Sequence, residues 1–383
     1  MRLSLSILFL LGFFTCFANA GEWGVEKGDR LVSAELKDKV AVAALRKDYL
    51  QLGDYIKNGY AAYRITYHTA GADGKPIIAS GALFVPDTSM ALPLLNYNHG
   101  TYFPTQEQQA PSYMGYSYEL IMGKLFAGAG YLVVMPDYVG YGASKTQFHP
   151  YGAYNFLAGS VIDMLEAVKE FCLANSIQLS GKNFFSGWSE GAAVALATVK
   201  TLEQEHSNTF KPTATVLNAG PYYTSGFDRQ VVDAGKPLAH INSYAWILQS
   251  YNRFYKINKP LNYYFKEPAA SKLQKNGPEA NIPRDPGELF TDDFRNNFNA
   301  GKDSALQRAF VSNDLWDWIP SSTIVFCHGD KDDYVPLYNS EKAYREMKSH
   351  GANVRLRVFR GQNHSSDVLN FVQEAFQQFE SDR

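Results

Sequence analysis

The chain has 383 residues, a formal charge of −2 and 45% apolar residues, which is enough to bury a sizeable core. Near-zero net charge with that apolar share excludes a disordered chain. The absence of any Lys/Arg-rich run excludes the phosphate neutralisation on which nucleic-acid binding rests. No apolar run reaches the roughly 18 residues of a membrane span.

Residues 1–20 open on Arg2, continue through an apolar stretch from Leu3 to Phe17 and close on Ala18-Asn19-Ala20. That is the layout of a secretory signal peptide cut after Ala20, so the mature protein is expected to be secreted or periplasmic. Cys16 leaves with this segment. Cys172 falls in a predicted helix and Cys327 in a predicted buried strand, where both read as small apolar core residues. Export leaves a disulfide between them open. Neither has a Cys or His at metal-ligand spacing, so no metal is expected.

The mature chain begins with a segment, 21–60, read as helical; residues 34–58 carry the propensity for it. Tyr60 to Tyr67 and Ile77 to Val85 read as an antiparallel strand pair around the turn Gly71-Ala-Asp-Gly74. Leu92 to Tyr97 is a short buried strand, Tyr118 to Ala127 a helix and Tyr131 to Met135 another apolar strand. Phe156 to Ala174 is amphipathic, with Val161, Met164, Leu165, Val168 and Cys172 at three- and four-residue steps. Asn183 to Ser186 is a strand, Gly191 to Glu205 an Ala-rich helix and Thr213 to Leu217 a strand. The alternation resumes with Ser322 to Cys327, Tyr338 to Ser349, Val354 to Phe359 and Val368 to Glu380. Strands alternating with helices imply crossovers and a mostly parallel sheet, an α/β fold. Residues 61–222 and 320–383 form its core. Residues 223–319 lack the alternation and read as a helical cap insertion. Tyr244, Trp246, Tyr251, Phe254 and Tyr255 there serve either helical packing or an acyl pocket.

Gly187-Trp-Ser-Glu-Gly191 lies between the apolar strand and the Ala-rich helix. In that context Ser189 sits on a strained turn with its hydroxyl exposed, ahead of a helix N-terminus that favours developing negative charge. A serine hydroxyl needs a base, and the base an orienting acid. In Gly329-Asp-Lys-Asp-Asp-Tyr-Val-Pro336 three aspartates compete; Asp332 is favoured, with Asp330 and Asp333 read as capping or solvated. His364 is the histidine between the last strand and the last helix, beside the carboxyl ends of the strands. His328 is read as structural, and His68, His206, His240 and His350 have no partner motif. The order Ser189, Asp332, His364 is that of one triad lineage. Asn98-His-Gly-Thr101 ends an early strand and supplies a second oxyanion N–H, assigned to Thr101 with Gly100 as fallback; the first is the N–H of Glu190. His99 is an alternative base and Asp137 an alternative acid, though both suit their loops structurally.

These residues, with Pro136-Asp-Tyr-Val-Gly-Tyr-Gly142 and His149-Pro-Tyr151, resemble the α/β-hydrolase superfamily. More narrowly, they are similar to bacterial secreted esterases and lipases related to the secretory lipase family. The resemblance implies a doubly flanked, mostly parallel sheet with a cap that shapes acyl or alcohol binding. It implies hydrolysis of a small-molecule or lipid ester without a cofactor. A serine peptidase on the same fold and an inactive binding module are the competing readings. Activity should fall at acid pH, where a protonated His364 is no longer a base.

Overall fold

Nine strands form one sheet in the order β1-β2-β3-β5-β4-β6-β7-β8-β9 in the computed structural model, which describes residues 30–49, 54–205 and 210–383. The expected signal peptide lies outside the described residues. The strands are β1 Leu31–Val40, β2 Tyr60–Ala70, β3 Pro76–Pro86, β4 Leu92–Asn98, β5 Leu132–Pro136, β6 Leu179–Trp188, β7 Pro212–Asn218, β8 Thr323–Gly329 and β9 Val354–Phe359. Pairing is antiparallel from β1 through β3 to β5 and parallel from β5 through β4 to β9. The helices are α1 Val42–Asp48, α2 Leu120–Gly128, α3 Tyr154–Ala174, α4 Glu190–Glu205, α5 Ile241–Phe254, α6 Leu261–Tyr264, α7 Ala269–Asn276, α8 Pro286–Leu289, α9 Asp292–Asn299, α10 Ser304–Ser312, α11 Tyr338–Ser349 and α12 Val368–Asp382. Among the described residues, no helix is long and apolar enough to cross a membrane.

The apolar runs are continuous because the central strands are covered on both faces, as parallel sheets require. Successive side chains then divide between two cores. Leu94, Val134, Phe185 and Ile324 pack under α3, α4 and α11, with Val161, Leu165, Leu196 and Met347. Their neighbours Leu95, Val133, Phe184 and Val325 face α2 and α12, against Phe126, Phe371, Phe376 and Phe379. Cys172 and Cys327 are buried and unbridged, Cys172 in the first core and Cys327 in the second.

The insertion after β7 carries a core of its own, in which Phe227, Leu248, Tyr251, Phe290, Phe294 and Phe310 are buried. Tyr251 is used for packing, and its hydroxyl donates to the Gly152 carbonyl at 2.9 Å. Trp246 instead stacks on Tyr151, with ring centroids 4.3 Å apart. So α5 rests directly on the loop after β5.

The N-terminal segment is a strand followed by a short helix. Within residues 21–60 a helix was expected over 34–58, but residues 31–40 form edge strand β1 and only Val42–Asp48 is helical. Ala34, Glu35 and Leu36 pair with Ile65, Arg64 and Tyr63 of β2. Helix propensity is worth only tenths of a kcal/mol per residue, and a ladder of backbone bonds to a long neighbour outweighs it. The exposed Lys37 and Lys39 suit an edge that must not recruit another strand.

Candidate active site

Ser189 follows β6 at φ 57°, a left-handed conformation that a side chain rarely adopts. The turn closes because two positions lack a β-carbon. One at Gly191 would lie 2.1 Å from the Asn98 carbonyl oxygen, and one at Gly187 2.3 Å from that of Gly191. The Ser189 N–H is held by the Asn218 carbonyl at 2.9 Å. Gly191→Ala should therefore push α4 away from the loop after β4. The expected loss in kcat is about 10²–10³, the scale of a lost oxyanion donor. Steady-state kinetics checks it, with circular dichroism to establish that the sheet survives.

Three side chains from distant segments meet in one chain of hydrogen bonds. Ser189 Oγ is 2.9 Å from His364 Nε2, and His364 Nδ1 is 2.7 Å from Asp332 Oδ2. Ser189 and His364 are 6% and 7% exposed, so little water competes for these bonds. Asp332 Oδ1 accepts the Tyr334 and Val335 N–H groups, each at 2.9 Å, which fixes which oxygen faces the imidazole. Burial opposes ionisation of Asp332, but its contacts with His328 and His364 prevail and hold it well below the usual carboxylate range. His328 Nε2 lies 3.2 Å from Asp332 Oδ2 and 2.7 Å from the Val335 carbonyl. His328 is thus a second imidazole on the acid and more than a strand-end residue. Asp330 accepts the Gly361 N–H at 2.6 Å, a turn role, and Asp333 is exposed.

The two alternatives sit elsewhere. Asp137 accepts Ser112 N–H at 2.8 Å and Ser80 Oγ–H at 2.5 Å, bracing the turn after β5. His99 is 1% exposed and lies between the rings of Tyr102 and Tyr138, at 4.3 and 4.2 Å. Burial pushes its pKa down to about 4.

In the loop after β4, the Gly100 N–H donates to both carboxyl oxygens of Glu119, at 2.7 and 2.9 Å. That removes the fallback donor. The N–H groups of Thr101 and Glu190 donate to no protein acceptor among the described residues. Glu190's carboxylate is buried 3.3 Å from His149 Nε2, and His149 Nδ1 is 2.7 Å from the Val139 carbonyl. Around this corner Thr101 Oγ1 lies 3.0 Å from the Tyr151 hydroxyl. Tyr334 bonds Ser243 of α5 through its hydroxyl and Tyr244 through its carbonyl, while its ring lies 4.9 Å from that of His364. His240 stacks on Tyr334 at 3.8 Å.

Glu119, Tyr334 and His240 were not anticipated as neighbours of the site. Glu119 and His240 come from segments with no motif, Tyr334 sits in the aspartate loop without a role read for it there, and only the folded chain brings the three to the site. Burial, reinforced by Glu190 and opposed by the Gly100 N–H, pushes Glu119 up to about 8. A carboxyl raised in this way contributes stability that is complete below its unfolded value of about 4.3 and lost as pH rises through the folded one. The melting temperature should therefore decline between about pH 5 and pH 8, and Glu119→Gln should flatten that decline.

A mostly parallel sheet flanked on both faces, with a left-handed serine turn directly after β6, defines an α/β-hydrolase fold. The family model described as Secretory lipase matches residues 108–377, and the chain belongs to that family, among hydrolases that act on esters. No curated protein matches significantly. A putative hydrolase from Legionella pneumophila has a TM-score of 0.81 at 23% identity, over 92% of this chain and 98% of that one. The rice cell wall degrading esterase LipA from Xanthomonas oryzae gives 0.80 at 24%, over 93% and 100%. Lipase A from Candida antarctica gives 0.66 at 14%, over 94% and 83%. At such identities these structures speak for the fold alone.

Proposed function

We propose that the chain is an exported serine carboxylester hydrolase acting through an acyl-enzyme on Ser189. His364 Nε2 takes the Ser189 proton as Oγ attacks the ester carbonyl. Asp332 holds His364 in the required tautomer and stabilises the imidazolium. The N–H groups of Thr101 and Glu190 receive the oxyanion. His364 then protonates the leaving alcohol, and water repeats the cycle on the acyl-enzyme, releasing the acid. The observation that carries this reading is the continuous Ser189–His364–Asp332 chain, at 2.9 and 2.7 Å. Residues 223–319 act as a cap in this reading, supported by the contacts of Ser243 and Tyr244 with Tyr334 beside His364. Export relies on residues 1–20, and protein recovered outside the cytoplasm should begin at Gly21.

An aminopeptidase would need an available carboxylate beside Ser189 to hold the substrate's ammonium. Glu190 is adjacent but buried against His149, which favours the ester. Chromogenic acyl esters of graded chain length, compared with aminoacyl anilides, separate the two. Faster anilide turnover would overturn the assignment. Failure of a fluorophosphonate to label well-folded wild type would favour the inactive binding module.

A further inference from the structure

Asp367 immediately precedes α12, three residues after His364, and its side chain is fully buried. Its Oδ1 accepts the Asn218 Nδ2–H at 2.9 Å. Its Oδ2 and Asn218 Oδ1 are both buried without a hydrogen-bond partner among the described residues. Two leftover acceptors on a carboxyl and an amide already joined by one bond need a single donor between them. A protonated carboxyl is both donor and acceptor, so its own proton can serve. An ionised carboxylate would instead leave both oxygens at the full cost of buried, unpaired acceptors.

We propose that Asp367 is a positioning residue: as a neutral carboxylic acid bonded twice to the Asn218 amide, it clamps the loop carrying His364 to the strand end that holds Ser189. Asn218 closes β7, and its own carbonyl anchors the Ser189 N–H at 2.9 Å. The same loop is tied to the nucleophile's other neighbour, since Trp188 Nε1–H donates to the His364 carbonyl at 3.0 Å. Base and nucleophile are therefore registered through adjoining residues rather than through their own bond alone.

The surroundings push Asp367 in the direction of the acid form. Burial raises Asp367 above the ordinary carboxylate range, against the Asn218 N–H, His364 and His328, which lower it, while Asp332 raises it further. The Tyr118 hydroxyl and the Cys327 thiol lie within electrostatic range of it, and burial raises both. The site thus holds two carboxyls in opposite states. Asp332 is ionised against two imidazoles, and Asp367 is kept neutral where a second charge would compete for His364. Environments that separate two acids in this way mark distinct roles.

The kinetic arm rests on the proposed serine mechanism; the spectroscopic arm does not. An infrared difference spectrum, wild type minus Asp367→Asn at neutral pH, should contain a carboxylic-acid carbonyl stretch. Asp367→Ala should lose kcat about 10- to 100-fold, the cost of a misplaced reacting group, with KM little changed. Asp367→Asn should retain most of the wild-type kcat, because an amide can donate to Asn218 Oδ1 and accept from its Nδ2 as the acid does. No difference band would overturn the proposal, as would an Asn variant as impaired as the Ala variant, since charge and not pairing would then matter. If Asp367→Ala fails to fold, the spectrum and the Asn variant still decide. A wild type that is inert to fluorophosphonate would sink the serine mechanism while leaving the infrared result standing.

Discussion

Ser189→Ala is expected to lower kcat on the order of 10⁶, the scale at which the members of such a triad act as one unit. The methyl group fits the space of the hydroxymethyl, and the Asn218 carbonyl still holds the backbone N–H. The left-handed backbone at this position is set by the glycine contacts on either side, so the melting temperature should barely change. His364 would retain Asp332 but have no nucleophile to activate. Stopped assays on the best ester of the panel, run beside fluorophosphonate labelling, check this. Residual turnover within about tenfold of wild type would mean that Ser189 is not the nucleophile.

Asp332→Asn is expected to cost about 10⁴ in kcat without unfolding the protein. The direction follows from the local bonds. Asp332 Oδ1 accepts two backbone N–H groups at 2.9 Å, so the amide oxygen of the variant must stay there. Its NH₂ then takes the place of Oδ2 and donates toward His364 Nδ1. The imidazole must carry its proton on Nε2, where it can no longer accept from Ser189. His328, which already donates to the Val335 carbonyl at 2.7 Å, keeps that bond. The same active-site serine should react with fluorophosphonate far more slowly in the variant. A mild effect would show that Asp332 does not set the tautomer.

These expectations rest on residues that were readable before the fold was known, but their partners were not. The G-x-S-x-G turn, the aspartate loop and the late histidine are local signals. Each needs only its own strand end and the glycines that let the backbone turn there. Apolar runs and helical periodicity likewise report burial on one or two faces, and both are properties of a short segment. The N-terminal strand escaped the same logic, because β1 exists through its pairing with β2 and not through its own side chains.

Sequence by itself determined the strand–helix alternation, the chain order of Ser189, Asp332 and His364, the proposed nucleophile, acid and base, and the glycines that permit a left-handed serine. Tertiary structure alone decided that Glu119 takes the Gly100 N–H, that His328 shares Asp332, that Tyr334 links α5 to the imidazole and that Asp367 meets Asn218. The physical reason is range. Backbone geometry and hydrophobic period are fixed within a few neighbours, whereas the protonation and partners of a buried polar group depend on whichever distant segments close over it.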